Sequence, residues 1–174
     1  MNKIAVIYKS EYGASKQYAE WISEELDAEI FKASSVAPNM LMDYDVVVYG
    51  AGLYAGQING AKLIAKNPCK KWLIVFTTGI ADPAITDYSG IMAKNFTPEW
   101  ISKINAFHLR GAIKYEKLGF AHKTMMGIFK KMLVKKVPSQ MSSEEKAVVE
   151  TNGEDVNFID RSSIEPLVEY VRSL

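Results

Sequence analysis

The sequence predicts an α/β fold in which a doubly wound sheet of five parallel strands is covered by helices on both faces. Five short runs rich in apolar and β-branched residues recur along the chain, and segments with helical spacing separate most of them. Strands that alternate with helices are typical of parallel sheets. The chain has 174 residues, so we expect a single domain over residues 1–174 with a basic helical segment at 120–137.

Each predicted element follows from its own pattern. The predicted strands are 3–8, 29–32, 44–49, 72–77 and 109–114, because these runs are apolar enough to be buried on both faces. Apolar residues at helical spacing predict helices at 15–26, 60–66, 98–104 and 163–173. Gly50 stops the third strand and Pro68 helps to end the second helix. The polar stretch 141–157 is predicted to be irregular.

Composition excludes several classes of protein. The only cysteine, Cys69, has no partner for an internal disulfide, which indicates a reducing compartment such as the cytoplasm. No run approaches the roughly 18 apolar residues of a spanning helix. His108 and His122 lack the paired spacing of a metal site, and no Ser-His-Asp set or nucleic-acid motif is present. The sequence assigns no metal, no catalytic residue and no oligomeric state.

The loop after the first strand, residues 10–15, has the properties of a phosphate site. Ligands of open α/β sheets bind beyond the carboxyl ends of the strands. Here hydroxyl groups, a glycine and the free N–H groups of a helix start come together, with no lysine and neither GxGxxG nor GxxxxGK[ST]. That combination favours one mononucleotide phosphate, although a helix N-cap and a turn glycine would look the same. The candidate residues are Ser10, Tyr12, Gly13, Ala14 and Ser15.

The loops after the third and fourth strands supply candidates for holding a flat ring. Residues 50–56 contain three glycines and an apolar-aromatic pair, so backbone can approach a ring closely and a tyrosine can stack on it. That tyrosine could equally lie on the surface of its own loop. Residues 77–82 offer backbone groups and a threonine hydroxyl to a polar ring edge. The candidates in these two loops are Ala51, Gly52, Leu53, Tyr54, Thr77, Thr78 and Gly79.

The three loops resemble those of the flavodoxin family. The phosphate loop of that family has the pattern [ST]-x-[ST]-G-x-[ST], which residues 10–15 match except at Tyr12. The resemblance implies non-covalently bound FMN and a flavodoxin-like strand order, 2-1-3-4-5. Within the family, the chain is similar to flavodoxin-type, menaquinone-dependent protoporphyrinogen dehydrogenases. Residues 44–51, 111–115 and the basic segment after them carry this likeness, which extends to about Val137.

The basic segment 120–137 places apolar residues on one helical face and most of its lysines outside that face. Residues 107–138 hold eight Lys or Arg and one acid, whereas residues 139–174 hold eight acids and three bases. Such a helix can rest on an anionic membrane or a hydrophobic partner, or it can pack on the protein's own sheet. The family resemblance implies an insert near the flavin that serves quinone or tetrapyrrole access. The apolar face consists of Met125, Ile128, Phe129, Met132 and Leu133.

We therefore expect an FMN-binding oxidoreductase that passes electrons from a protoporphyrinogen-like substrate to a quinone or another carrier. The family's electron carriers are strongly acidic, and a net charge of +1 is unlike them. Two alternatives stay open, a non-enzymatic flavodoxin-type electron-transfer protein and a binding module without flavin. The expected partners are a redox partner or quinone and, through residues 120–137, the inner face of a membrane, with no nucleic acid.

Overall fold

The computed structural model describes residues 2–151 and 153–174, and the side chain of Met125 lies outside the described part. The strands, in chain order, are β1 (Ile4–Lys9), β2 (Glu29–Lys32), β3 (Val46–Tyr54), β4 (Gln57–Ile58), β5 (Trp72–Gly79), β6 (Ile104–Arg110), β7 (Ala112–Ile113) and β8 (Val156–Asn157). The helices are α1 (Ala14–Leu26), α2 (Lys62–Ala65), α3 (Ser89–Asn95), α4 (Pro98–Ile101), α5 (Phe120–Leu133), α6 (Ser143–Glu150) and α7 (Glu165–Arg172). Five 3₁₀ turns complete the described structure: Ala33–Ser35, Pro38–Asp43, Tyr115–Lys117, Pro138–Gln140 and Arg161–Ile164.

The main sheet confirms the predicted fold class and strand order. Its parallel strands lie in the order β2-β1-β3-β5-β6, while β4 is a short antiparallel addition to β3. β1 pairs with β2 on one side and with β3 on the other. Strand order therefore reverses at β1, and the carboxyl ends of β1 and β3 frame the crevice where such sheets bind ligands.

The two faces of the sheet bury separate cores because side chains alternate along each strand. Val6 of β1 faces a core shared with α1 and α7, whereas its neighbours Ala5 and Ile7 face the core under α2 and α3. A third, smaller cluster forms at the carboxyl edge of the sheet. Its buried members, Ile80, Leu133 and Val148, join the end of β5 to α5 and α6.

The fifth parallel strand begins and ends earlier than predicted. It is β6, not residues 109–114, because Ile104 already pairs with Leu73 and α4 ends at Ile101. The chain turns at Gly111, whose N–H donates to the Gly79 carbonyl over 2.5 Å. Beyond it, β7 pairs antiparallel with β8, so the residues predicted as one strand belong to two different sheets.

The prediction of an irregular stretch at 141–157 is also wrong. The stretch contains α6, whose start is fixed by a capping box. Ser142 Oγ accepts from Glu145 N over 3.2 Å, and Glu145 Oε2 accepts from Ser142 N over 2.9 Å. This reciprocal pair stabilises a helix start in a polar sequence that lacks a strong apolar stripe.

Within the described ranges, no helix is both long and apolar enough to cross a bilayer.

Candidate functional site

The loop after β1 leads into α1 through a glycine. Gly13 is the N-cap of α1 and adopts a left-handed φ of 101°. Its N–H donates to Ser10 Oγ over 3.0 Å, which folds the loop back on itself. Because glycine has no side chain, it cannot cap the free N–H groups of the first helical turn. These groups and the positive end of the helix dipole are suited to an anion.

A hydroxyl pair joins this loop to the end of β5. Ser15 Oγ and Thr78 Oγ1 are 2.8 Å apart, and both side chains are buried. Thr77, one residue earlier in β5, is hydrogen bonded over 2.5 Å to Nδ1 of His108 instead. The predicted loops after β1 and β5 are therefore in direct contact. Thr77 instead links β5 to the neighbouring strand β6 through its hydrogen bond to His108.

The predicted loop 50–56 is mostly strand, because β3 continues to Tyr54. The turn into β4 is made by Ala55 and Gly56, which have positive φ values of 50° and 74°. Gly50 is explained by packing, since a β-carbon there would overlap the ring of Phe76.

Three aromatic side chains fasten the start of α5 over these loops. The rings of Tyr54 and His122 stack with centroids 5.6 Å apart and planes inclined by 13°. Tyr12 Oη accepts from the Gly119 N–H over 3.3 Å and is also hydrogen bonded to Nδ1 of His122. Burial raises the pKa of Tyr54 to about 12, with a smaller contribution from the Glu11 carboxylate, so Tyr54 stays neutral.

The loops enclose a cavity of about 600 Å³ at the carboxyl edge of the sheet. Small-molecule sites typically span roughly 300–1,000 Å³. Of the predicted site residues, Gly13, Ala51 and Thr77 lie outside the cavity wall. Those in the wall are Ser10, Tyr12, Ala14, Ser15, Gly52, Leu53, Tyr54, Thr78 and Gly79.

α3, α5, α6 and residues 111–114 form parts of the wall that were not among the predicted site residues. The S-x-x-E spacing of Ser142 and Glu145 indicates a helix start and could have predicted α6. No local pattern shows that this helix folds over the ends of β5 and β1. The wall residues that α5, α6 and the residues just before them contribute are Leu118, His122, Met126, Phe129, Ser142, Ser143, Glu144, Glu145 and Val148.

The basic residues near the cavity have different roles. Arg110 holds the loop after β5, because its Nε and Nη2 donate to the Ile80 carbonyl over 3.2 and 3.0 Å. Its guanidinium also lies 3.6 Å from the ring centroid of Phe158. Lys114 and Lys94 line the cavity. In residues 2–151 and 153–174, no three His, Cys, Asp or Glu side chains are grouped to hold a metal ion.

A family model described as a flavodoxin domain matches residues 5–140. The chain belongs to this flavodoxin domain family. The matched part of the flavodoxin domain includes the three loops and α5, whereas α6 and α7 follow it. A curated relative, the uncharacterized protein MJ0298 of Methanocaldococcus jannaschii, is 32% identical over 56 residues, which are 32% of this chain. The chain spans only 37% of the length of that relative.

Solved structures similar to this flavodoxin domain include flavodoxins and a flavoprotein. Oxidised flavodoxin 2 of Bacillus cereus is 15% identical with a TM-score of 0.48, covering 62% of this chain and 84% of its own. A flavodoxin from the domain Archaea is 16% identical with a TM-score of 0.44, covering 62% and 82%. A Lactobacillus acidophilus flavoprotein in complex with FMN is 14% identical with a TM-score of 0.41, covering 63% and 93%.

The wall of the flavodoxin domain has the chemistry that FMN requires at its two ends. At one end, the start of α1 offers N–H donors to a phosphate and Ser10 adds a hydroxyl. The wall as a whole is largely apolar and includes Leu53, Met126 and Phe129, while Thr78 and Gly79 at the end of β5 also line it. An apolar slot with a polar edge suits an isoalloxazine ring.

Proposed function

We propose that this flavodoxin domain binds FMN and acts as an oxidoreductase. The observation that supports the proposal is the cavity walled by all three loops that follow β1, β3 and β5. Residues 10–15 would hold the phosphate, and the segments around Leu53, Tyr54 and Gly79 would enclose the ring. When bound, FMN supplies the redox chemistry, while the protein supplies position and electrostatics.

Tyr54 must change its contacts for the ring to stack on it. Its face is taken by His122, and its side chain lies over Gly52, where a β-carbon would be 3.1 Å from the ring of Tyr54. Either the flavin ring replaces the imidazole, or it lies on the other face of Tyr54. In the first arrangement His122 would move aside and could border the flavin, whereas in the second the ring of Tyr54 would separate it from the flavin.

The reaction proposed is electron transfer from a protoporphyrinogen-like substrate to a quinone or another carrier. The extra wall made by α5 and α6 supports an enzyme, because it shelters the cavity beyond the loops that a simple carrier needs. Lys94 and Lys114 in the wall could orient an acidic substrate. The near balance of 21 basic and 20 acidic residues gives no strong field to steer a carrier onto a basic partner.

The first test is the visible spectrum of protein purified with FMN present. We expect a yellow protein with bound flavin after gel filtration, and a colourless protein would refute the proposal. The second test separates the enzyme from the electron carrier. Oxidation of protoporphyrinogen with a quinone acceptor would support the enzyme. Reduction by a ferredoxin or flavodoxin reductase with onward transfer, but without that oxidation, would support the carrier.

We also propose a peripheral membrane contact through residues 120–137. The apolar face of α5 is divided: Phe129 and Leu133 pack in the cluster at the carboxyl edge, whereas Ile128 and Met132 are exposed. Phe120 and Val134 are 88% and 85% exposed. The side chain of Met125, also predicted on this face, lies outside the described residues. Exposed apolar groups among exposed lysines are suited to an anionic lipid surface.

A further inference from the structure

One carboxylate oxygen of Glu144 lies at the cavity and has no hydrogen-bond partner among the described residues. The residue belongs to the first turn of α6 and lines the cavity. Its Oε1 is buried and finds no donor in the described part of the chain. A β-carbon built on Gly79 would lie 2.7 Å from this oxygen, so a side chain at the end of β5 would displace the carboxylate from its present position.

The structure does not explain Glu144 as a stabilising residue. Its neighbour Glu145 completes the capping box of α6 and forms an ion pair of 2.7 Å with Lys136. Glu144, in contrast, leaves one oxygen unpaired, which destabilises a folded protein. Burial raises the pKa of the Glu144 carboxyl, and a hydrogen bond from the Ala81 backbone lowers it by less. A costly, unpaired polar group in a cavity wall is typical of a residue kept for a ligand.

We propose that Glu144 Oε1 accepts a hydrogen bond from the single ring N–H of bound isoalloxazine. The inference rests on the proposed binding of FMN and adds a cofactor contact from outside the matched family segment. Glu144 stands beside Gly79, at the polar backbone of β5, and its carboxyl would repel the phosphate of FMN. The ring edge, not the phosphate, therefore faces α6, and the phosphate faces the start of α1.

The test compares FMN with 3-methyl-FMN, in which a methyl group replaces the ring hydrogen. We expect the wild-type protein to bind FMN about tenfold more tightly than the methylated analogue, measured by fluorescence titration. Glu144→Leu should remove most of this preference, and Glu144→Gln, which keeps a neutral acceptor, should reduce it. Glu150→Gln, at the exposed end of α6, is the matched control and should keep the full preference.

A second measurement needs no flavin. Glu144→Gln removes the buried charge but keeps an acceptor for the Ala81 N–H, so it should raise the melting temperature of the ligand-free protein above that of wild type. If Glu144→Leu does not fold, Glu144→Gln replaces it in the fluorescence titration with the two flavins. A preference for FMN that is the same in wild type and both variants would overturn the role of Glu144 while leaving FMN binding intact. Wild-type protein that binds neither flavin would overturn the proposed function and this inference together.

Discussion

Gly13, at the start of α1, and Gly50, inside β3, are required for different physical reasons. Gly50 leaves space for the ring of Phe76, which is fully buried under β3. Gly13 has open space around its α-carbon, since nothing lies within 4 Å of a β-carbon built there. Glycine is required at position 13 because of its backbone conformation, since residues with a side chain rarely adopt a φ of 101°.

Gly13→Val should therefore weaken FMN binding through backbone strain, and crowding of the phosphate is not the cause. A β-branched residue in this region costs on the order of 1–3 kcal/mol, so we expect roughly tenfold weaker binding as the loop shifts. Isothermal titration calorimetry measures the dissociation constant of FMN for the variant and for wild type. Gly127→Val is the matched control, because Gly127 is also open but lies within α5. Equal FMN affinity in both variants would show that the phosphate is not held at the start of α1.

His108 makes the stability of the fold depend on pH. Its ring stacks on Tyr88 with centroids 3.5 Å apart and planes within 5°. Burial lowers the pKa of His108 to about 4, against 6.5 for the free side chain. Between these values the unfolded chain binds more protons than the folded one, so stability falls as the pH drops from 6.5 toward 4.

We expect the free energy of unfolding to fall by on the order of 1–2 kcal/mol over this interval because of His108, after discounting for its partial exposure. His108→Phe retains a ring to stack on Tyr88 and cannot titrate, so it should lack this component. Urea unfolding at several pH values compares the two proteins. Parallel pH profiles would mean that His108 is not the titrating group.

At the scale of elements, α5 lies over the site and also presents a surface to solvent. Lys130 is a poor probe of that surface, because its Nζ lies 4.4 Å from the ring centroid of Tyr115. Lys131 and Lys135 are exposed. Among the described residues of the segment 120–137, the exposed large apolar ones are Phe120, Ile128, Met132, Val134 and Val137.

Replacement of Lys131 and Lys135 by Glu should reduce co-sedimentation with vesicles of anionic phospholipid, since each basic residue near such a surface contributes about 1 kcal/mol. A loss of tenfold or more in the partition coefficient is expected for the double variant. Lys32 and Lys66, exposed elsewhere, provide a control pair whose reversal should have a smaller effect. Wild-type protein that does not sediment with these vesicles would end the membrane proposal.

The elements that could be predicted are those whose signal is local. β1 and β5 are unbroken apolar runs, and α1 has a clear helical stripe, so their positions follow from sequence alone. The end of β6 could not be predicted, because the apolar run continues past Gly111 and only pairing with β8 divides it. The placement of α5 and α6 over the cavity depends on contacts distant in sequence, such as Tyr12 with His122.

At the scale of the whole molecule, the C-terminal helix is part of the main core although the family match ends before it. Leu167 is fully buried, and it packs in the cluster that contains Ile22 of α1 and Ile74 of β5. The doubly wound sheet needs this cover, since one face would otherwise expose β-strand side chains to water.

Leu167→Ala should lower the free energy of unfolding by about 2–5 kcal/mol, the usual cost of a cavity in a packed core. Chemical denaturation followed by circular dichroism measures the change. Glu169→Ala, an exposed substitution in the same helix, should stay within about 0.5 kcal/mol of wild type. A Leu167→Ala protein as stable as the Glu169→Ala control would show that the sheet does not depend on the packing of α7.

The cavity wall draws on residues from Ser10 near one end of the chain to Val148 near the other. A small molecule that fills it would contact segments that are far apart in sequence. Local unfolding of either segment would break these contacts and release the ligand, so ligand binding would protect amide hydrogens from exchange across the entire sheet and not in one loop. At a thousand times its dissociation constant, such a ligand would add about 4 kcal/mol to the cost of global unfolding.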